Sequence, residues 1–318
     1  MKSDSRIYVA GNRGLVGSAV ERRLKRGGFT NVATSDIDDF DLTDLYSTDR
    51  FFQKHKPEYV FLAAAKVGGI KANDAFPADF IRVNLQVQTN AIVSAHRHGV
   101  TKLLFLGSSC IYPKLAPQPM KEEHLLAGPL EPTNDAYAVA KIAGIFMCKS
   151  YNRQHGTNFI AAMPTNLYGP GDNFDLESSH VMPAMIRKFH EAKIAGRASV
   201  ELWGTGEPRR ELLYVDDLAD ALVFLMERFD ATKERSFVNV GVGEDVSIRE
   251  LADLVKRTVG YGGEVTWNPA MPDGTPRKLL DVSAVTAMGW KAAHGLEEGV
   301  RKTYEWFCAN GGSGDVRR

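Results

Sequence analysis

Cysteine is scarce in this chain: Cys110, Cys148 and Cys308 are the only three in 318 residues, and they are scattered. An odd, dispersed set excludes a disulfide framework, offers no CxxC metal spacing and points to a reducing compartment. Net charge is absent too, since Lys plus Arg and Asp plus Glu each number 39. With no global field, nucleic acid and anionic membrane surfaces are poor partners, and any anion site has to be local. That favours a small-molecule ligand. Long apolar runs are also missing: nothing approaches the roughly 18 residues needed to cross a bilayer, and the run after MKSDSR is too short for a signal-peptide core. The expected location is cytoplasmic. There is no internal repeat and no low-complexity tract.

What is present is rhythm. Short β-branched or apolar runs at residues 6–10, 31–34, 58–63, 102–106 and 159–163 alternate with amphipathic patterns at 15–26, 45–55, 79–98 and 135–154. This is the signature of βαβ units, and right-handed crossovers fold it as an α/β doubly wound parallel sheet of the Rossmann type. At 318 residues the chain exceeds one compact core, so a second part is expected. Residues 1–165 form the dinucleotide-binding part. A helix at 216–228 and a strand at 236–240 suggest that 213–241 returns to it. A helix at 181–192, a strand at 200–203 and a helix at 247–259 belong to a smaller, discontinuous α/β substrate domain made of 166–212 and 242–310. The tail GGSGDVRR, 311–318, has no periodicity and reads as disordered.

Gly11, Gly14 and Gly17 form GNRGLVG, directly after the first strand and before the first helix. A glycine turn lets backbone approach a pyrophosphate, and the helix N-terminus offers unpaired N–H groups and a positive dipole. By itself the pattern is weak; a plain tight turn is the bland alternative. An acidic residue about 20 positions on marks NAD, a basic side chain NADP. Both are available, because Asp36 and Asp38 follow the second strand while Arg13 sits in the turn. DIDDFD is equally readable as a solvated loop. Asp41 and Leu42 open the next helical segment, flanking an adenine or, for Asp41, capping the helix.

Tyr137 and Lys141 form YAVAK, and a spacing of four places them on one helix face. An ammonium lowers the pKa of a nearby phenol toward working pH, so the pair can exchange a proton with an alcohol or ketone. Tyr-x-x-x-Lys arises often by chance; its expected position after the fifth parallel strand of a dinucleotide fold is what makes it significant. KLLFLG runs into SSCIYP, so Ser108 and Cys110 emerge at the carboxyl edge of the sheet. In extended chain they share one side. An inert buried thiol is the competing reading of Cys110.

GNRGLVG, AAAKVGGI, LGSSCIYP, YAVAK, MPTNLYGPGDNF, SSHVMPA and PDGTPRKLLDV together resemble the extended short-chain dehydrogenases, over nearly the whole chain from Arg6 to about Trp306. AAAKVGGI, GSSCIYPK and PTNLYGP are similar to a subgroup that epimerises and reduces GDP-4-keto-6-deoxymannose. The resemblance implies that Cys110 is a base and His180 an acid for inversion at carbons 3 and 5. Ser108 and Tyr137 would then serve the carbon 4 oxygen, with Lys141 tuning the phenol. Apart from the resemblance, His180 reads as a helix-start residue with a structural hydrogen bond.

Cofactor contacts implied are Gly11, Asn12, Arg13, Gly14, Leu15, Val16, Gly17, Asp36, Asp41, Leu42, Ala63, Ala64, Ala65, Leu106, Gly107, Ser108, Tyr137, Lys141, Pro164, Thr165, Asn166, Leu167 and His180. Lys188, Trp203, Arg210 and Asp273 would hold the GDP-sugar, although solvated charge and core packing explain each more blandly. The basic residue that many members carry after the second strand aligns with Ile37, beside Asp36. Arg13 matches the other basic position, so NADP(H) is favoured and NAD(H) stays open. No metal is expected. A homodimer through the helices at 79–98 and 135–154 is implied, as in the family.

Rival readings share the fold. A 4,6-dehydratase needs an acidic pair after the site serine, which SSCIYP lacks, and a simple 4-epimerase has no need of Cys110. A relative acting on a 6-deoxy-heptose has the same motifs. A non-catalytic cofactor-sensing module is opposed by the presence of Ser108, Tyr137 and Lys141 together.

Overall fold

The computed structural model describes residues 1–35, 40–233, 235–271 and 273–312. Its first half builds β1 (Ile7–Ala10), α1 (Leu15–Arg26), β2 (Val32–Ser35), α2 (Leu45–His55), β3 (Tyr59–Leu62), α3 (Ile70–Ala75), α4 (Pro77–Arg97), β4 (Lys102–Leu106), α5 (Asp135–His155) and β5 (Phe159–Pro164). The second half builds β6 (Asn166–Tyr168), α6 (Val181–Ile194), β7 (Ser199–Trp203), β8 (Arg209–Arg210), β9 (Leu212–Tyr214), α7 (Val215–Arg228) and β10 (Phe237–Val240). The chain then closes with β11 (Val246–Ser247), α8 (Ile248–Val259), β12 (Glu264–Asn268), β13 (Arg277–Lys278), α9 (Ser283–Ala287) and α10 (Leu296–Ala309).

Six strands form one parallel sheet in the order β10-β5-β4-β3-β1-β2. β1, β4 and β5 are buried along their whole length, as strands covered on both faces must be. The order reverses between β1 and β3, which opens a crevice at the carboxyl edge, the place where such sheets take ligands. α1 and α7 cover one face and are tied by Arg22 to Asp216 at 2.8 Å and Arg23 to Asp220 at 2.7 Å. α2, α4 and α5 cover the other, around Phe52, Phe105, Ile142 and Phe159. α5 lies close to the sheet because Gly144 faces the ring of Phe105; a Cβ there would sit 2.3 Å from it.

A separate apolar cluster joins α6, α8 and α10 through Ile186, Phe189, Leu251, Val255 and Phe307. Small pairings, β12 with β7 and β11-β8-β13, complete that part. β10 pairs with β5, so the chain between Leu212 and Val240 lies against the large sheet.

Several expectations change in detail. YAVAK sits in the helix after the fourth strand, not the fifth, and leads into β5. α2 starts at Leu45 with Asp44 as its cap, whose carboxylate accepts the Ser47 amide at 2.8 Å; Asp41 instead accepts the Thr43 amide in the preceding turn. α4 begins at Pro77, where a missing N–H costs nothing in a first turn. Gly312 donates to the Phe307 carbonyl at 3.0 Å, so 311 and 312 close the last helix; residues 313–318 lie outside the described residues.

Candidate active site

At the carboxyl end of β1 the chain turns through Gly11, whose φ is +79° and whose amide donates to the Ser35 carbonyl at 2.9 Å. Gly14 caps α1 without a side-chain bond, and the first turn carries no acidic residue. Gly17 packs on this turn so closely that a Cβ would lie 2.1 Å from the Gly11 carbonyl oxygen. A helix N-terminus with open amides and no competing carboxylate is suited to a phosphate. The Oδ1 of Asn12 is buried with no hydrogen-bond partner, the kind of atom a polar ligand would satisfy. The group therefore fits a dinucleotide.

Around this turn, Leu15 and Arg13 are partly or fully exposed, whereas Val16 and Leu42 are buried. Ala63, Ala64 and Ala65 follow β3, with Ala64 against Gly11. Asp36, Ile37 and Asp38 lie outside the described residues. Pro164, Thr165, Asn166 and Leu167 link β5 to β6. Thr165 Oγ1 and Asn166 Nδ2 both donate to the Glu211 carbonyl, at 3.1 and 2.9 Å, so those two side chains serve the protein.

Leu106 ends β4, and Gly107 carries the chain past the carboxyl edge into Ser108. Ser108 is extended, but residues 109–111 make a 3-10 turn, so strand alternation does not apply. The turn brings the Cys110 amide to Ser108 Oγ at 3.3 Å. Tyr137, on α5, lies near enough to Ser108 for that hydroxyl to favour the ionised phenol. Lys141, one turn on, is buried and donates to the Leu106 carbonyl at 2.8 Å, with its ammonium 5.7 Å from the centre of the Tyr137 ring.

Burial is the larger influence on both. It pushes the Tyr137 phenol above its ordinary value; a charge on Cys110 pushes the same way and the Ser108 hydroxyl opposes. Burial also brings the Lys141 ammonium down to about 7. For the phenol, desolvation by burial is the first influence, and it acts in the direction opposite to the lowering expected from Lys141.

The Cys110 thiol faces donors. Asn134 Nδ2 is 3.5 Å from Sγ and Lys278 Nζ is 3.6 Å away. Arg210 is lowered by its burial, and Cys110 and Asp273 are near enough to offset part of that. His180 is exposed and stands at the N-cap of α6, the helix-start position, where its side chain makes no capping bond. Its loop is joined to AAAKVGGI, because Gly69 donates to the Ser178 carbonyl at 3.1 Å and fits under the Ser179 carbonyl. AAAKVGGI itself rests on Phe80 through Gly68, and the Phe80 ring meets Tyr137 edge-on at 6.3 Å.

Lys188 donates to the Glu201 carbonyl at 3.3 Å and lies over the exposed ring of Trp203 at 5.8 Å. Asp273 is occupied as a loop brace, accepting the Thr205 amide and hydroxyl at 2.8 and 2.9 Å.

Residues 7–241 match the NAD dependent epimerase/dehydratase family. The chain belongs to this family. It is 56% identical over 306 residues to GDP-L-fucose synthase 1 of Arabidopsis thaliana, covering 96% of this chain and 94% of that one. It is similar in structure to a GDP-6-OMe-4-keto-L-xylo-heptose reductase from C. jejuni, with a TM-score of 0.93, 39% identity, and coverage of 97% and 99%. A GDP-L-fucose synthetase from Naegleria fowleri bound to NADP matches with a TM-score of 0.89, 28% identity, and coverage of 98% and 96%.

Within this epimerase/dehydratase frame, three residues at the site escaped the sequence reading. Asn134 and Lys278 touch the thiol, and the signal for Lys278 was its place inside PDGTPRKLLDV. Glu211, fully buried, gives its carboxylate to the amides of Val242, Gly243 and Leu280. Its signal was a lone acid at the head of the apolar run ELLYV. Among the described residues no cluster of three potential metal ligands occurs, and no helix is long and apolar enough to cross a membrane.

Proposed function

We propose that the chain converts GDP-4-keto-6-deoxymannose to GDP-L-fucose, inverting carbons 3 and 5 and then reducing carbon 4 with NADPH. The observation that carries this reading is the thiol of Cys110 beside the Ser108–Tyr137 pair, surrounded by donors. A plain reductase has no use for a base there. The full-length relative named GDP-L-fucose synthase 1 supports it.

The 4-keto group acidifies protons on both adjacent carbons. Cys110 takes the proton from one face; the electron pair moves onto the carbon 4 oxygen, where Ser108 and Tyr137 hold the enolate. His180 returns a proton to the opposite face, which is what makes the step an inversion. In the reduction Tyr137 protonates the same oxygen, and Lys141 orients and resupplies the phenol. The turn from Gly11 to Gly17, Ala63 to Ala65 and Pro164 to Leu167 would hold the cofactor, which supplies the hydride. Lys188 and Arg210 offer cations to the diphosphate, and Trp203 an apolar face to the sugar or base.

NADP rather than NAD is supported by Arg13 in the glycine turn and by the NADP in the Naegleria fowleri relative. A homodimer through α4 and α5, a cytoplasmic location, and a dinucleotide part of 1–165 with 213–241 beside a substrate part of 166–212 and 242–310 remain parts of this proposal. The likeness to the heptose reductase favours one second reading, reduction of a 4-keto GDP-heptose.

The test mixes the protein with GDP-4-keto-6-deoxymannose in heavy water and follows NADPH and NADH oxidation separately. Deuterium at carbons 3 and 5 with one NADPH consumed per product is expected. Reduction without exchange would overturn the epimerase half.

A further inference from the structure

Strand β13 carries two cations that face opposite ways, as successive residues on a strand must. Arg277 is spent on Asp245 at 2.5 Å. Lys278 has no carboxylate within ion-pair distance among the described residues; its Nζ points to Cys110 Sγ, 3.6 Å away. In the parallel pairing of β13 with β8, Lys278 stands opposite Arg210, so both cations reach the same side. The Glu211 amide donates to the Lys278 carbonyl at 3.1 Å, and Leu280 is anchored to the Glu211 carboxylate at 2.9 Å. The lysine therefore rises from a strand fixed on both sides of it. Together with the Asn134 amide at 3.5 Å, it gives the sulfur a cation and a neutral donor.

We propose that Lys278 is a catalytic residue of the epimerisation: its ammonium stabilises the negative charge on the Cys110 sulfur while that sulfur acts as base. This rests on the reading of Cys110 as the base. In the step a C–H bond at carbon 3 or 5 breaks and an S–H bond forms. The electron pair goes to the carbon 4 oxygen, and the cation loses its anionic partner only as the sulfur is protonated. A cation fixed beside a thiol is the environment in which thiolate chemistry is found. Reduction at carbon 4 does not use the sulfur, so Lys278 is not needed there.

The experiment uses the full chain with Lys278→Met, which keeps the length of the side chain, and Lys278→Arg, which keeps the charge. Iodoacetamide alkylation of Cys110 at pH 7.5 is followed by mass spectrometry, with exposed Cys308 as internal reference. Lys278→Met is expected to slow Cys110 about tenfold relative to Cys308, the size of one charge-assisted hydrogen bond. Lys278→Arg should recover most of that rate. Deuterium exchange at carbons 3 and 5 should fall by a similar factor in Lys278→Met. Unchanged Cys110 alkylation in Lys278→Met, with unchanged melting temperature, would overturn the proposal. If wild type alkylates as described yet exchanges no deuterium into the GDP-sugar, the lysine's hold on the sulfur stands and the substrate reading falls.

Discussion

Lys141 donates from Nζ to the carbonyl of Leu106 across 2.8 Å, using a buried ammonium to close the last carbonyl of β4 one helical turn from Tyr137. The cost of that arrangement is legible in titration, since burial brings this ammonium from 10.5 down to about 7. Below pH 7 both folded and unfolded chains hold the proton and the full penalty is felt. Between about 7 and 10.5 only the unfolded chain holds it, so stability climbs with pH.

Lys141→Met removes this dependence. The variant should melt above wild type at pH 6, by about 1–3 kcal/mol after the lost Leu106 bond is subtracted, and the gap should close toward pH 10. Reduction should fall about 10²–10⁴-fold. Thermal melts at the two pH values check the first point, and an equal gap at both would contradict the burial argument.

The two halves of the reaction should separate by mutation. Cys110→Ser is expected to depress deuterium exchange at carbons 3 and 5 far more than Tyr137→Phe does, while Tyr137→Phe loses reduction by about 10²–10⁴-fold. Equal losses of exchange in the two variants would remove the proposed division of labour.

Arg13 is exposed in the glycine turn and is the basic residue there. Arg13→Leu should weaken NADPH binding by about tenfold to a hundredfold, the value of a charge-assisted contact, and leave NADH binding nearly unchanged. Fluorescence titration with each cofactor measures this. A parallel loss for both would assign Arg13 to the shared pyrophosphate instead of the 2'-phosphate.

The sheet was legible because its strands are buried on both faces and read as unbroken apolar runs between amphipathic helices. The glycine turn and YAVAK were legible because their geometry is local. Pairings such as β8 with β13 were not, since two-residue strands leave no period to detect. The surroundings of Cys110 were hidden for a related reason. Lys278 lies 168 positions away, and which way its side chain faces depends on a strand register that residue types do not encode. Short α3 was missed because six residues span less than two full turns, too few to establish a helical period.

Glu211 gives the last prediction. Its carboxylate is fully buried, raised above its ordinary value by that burial, and satisfied by three amides: Val242 at 2.6 Å, Gly243 at 2.7 Å and Leu280 at 2.9 Å. In Glu211→Gln one oxygen can still serve Val242 and Gly243, but the amide NH2 then confronts the Leu280 N–H, donor against donor. A buried unpaired donor costs about 1–3 kcal/mol, and the strain falls on the strand that presents Lys278 to the thiol. The backbone carbonyl that holds Thr165 and Asn166 is untouched by the change. KM for the GDP-sugar and deuterium exchange should therefore worsen several-fold while NADPH affinity stays within about twofold of wild type. Steady-state kinetics beside a cofactor titration decides it, and a matching loss of NADPH affinity would mean that Glu211 supports the whole cleft and not the thiol side alone.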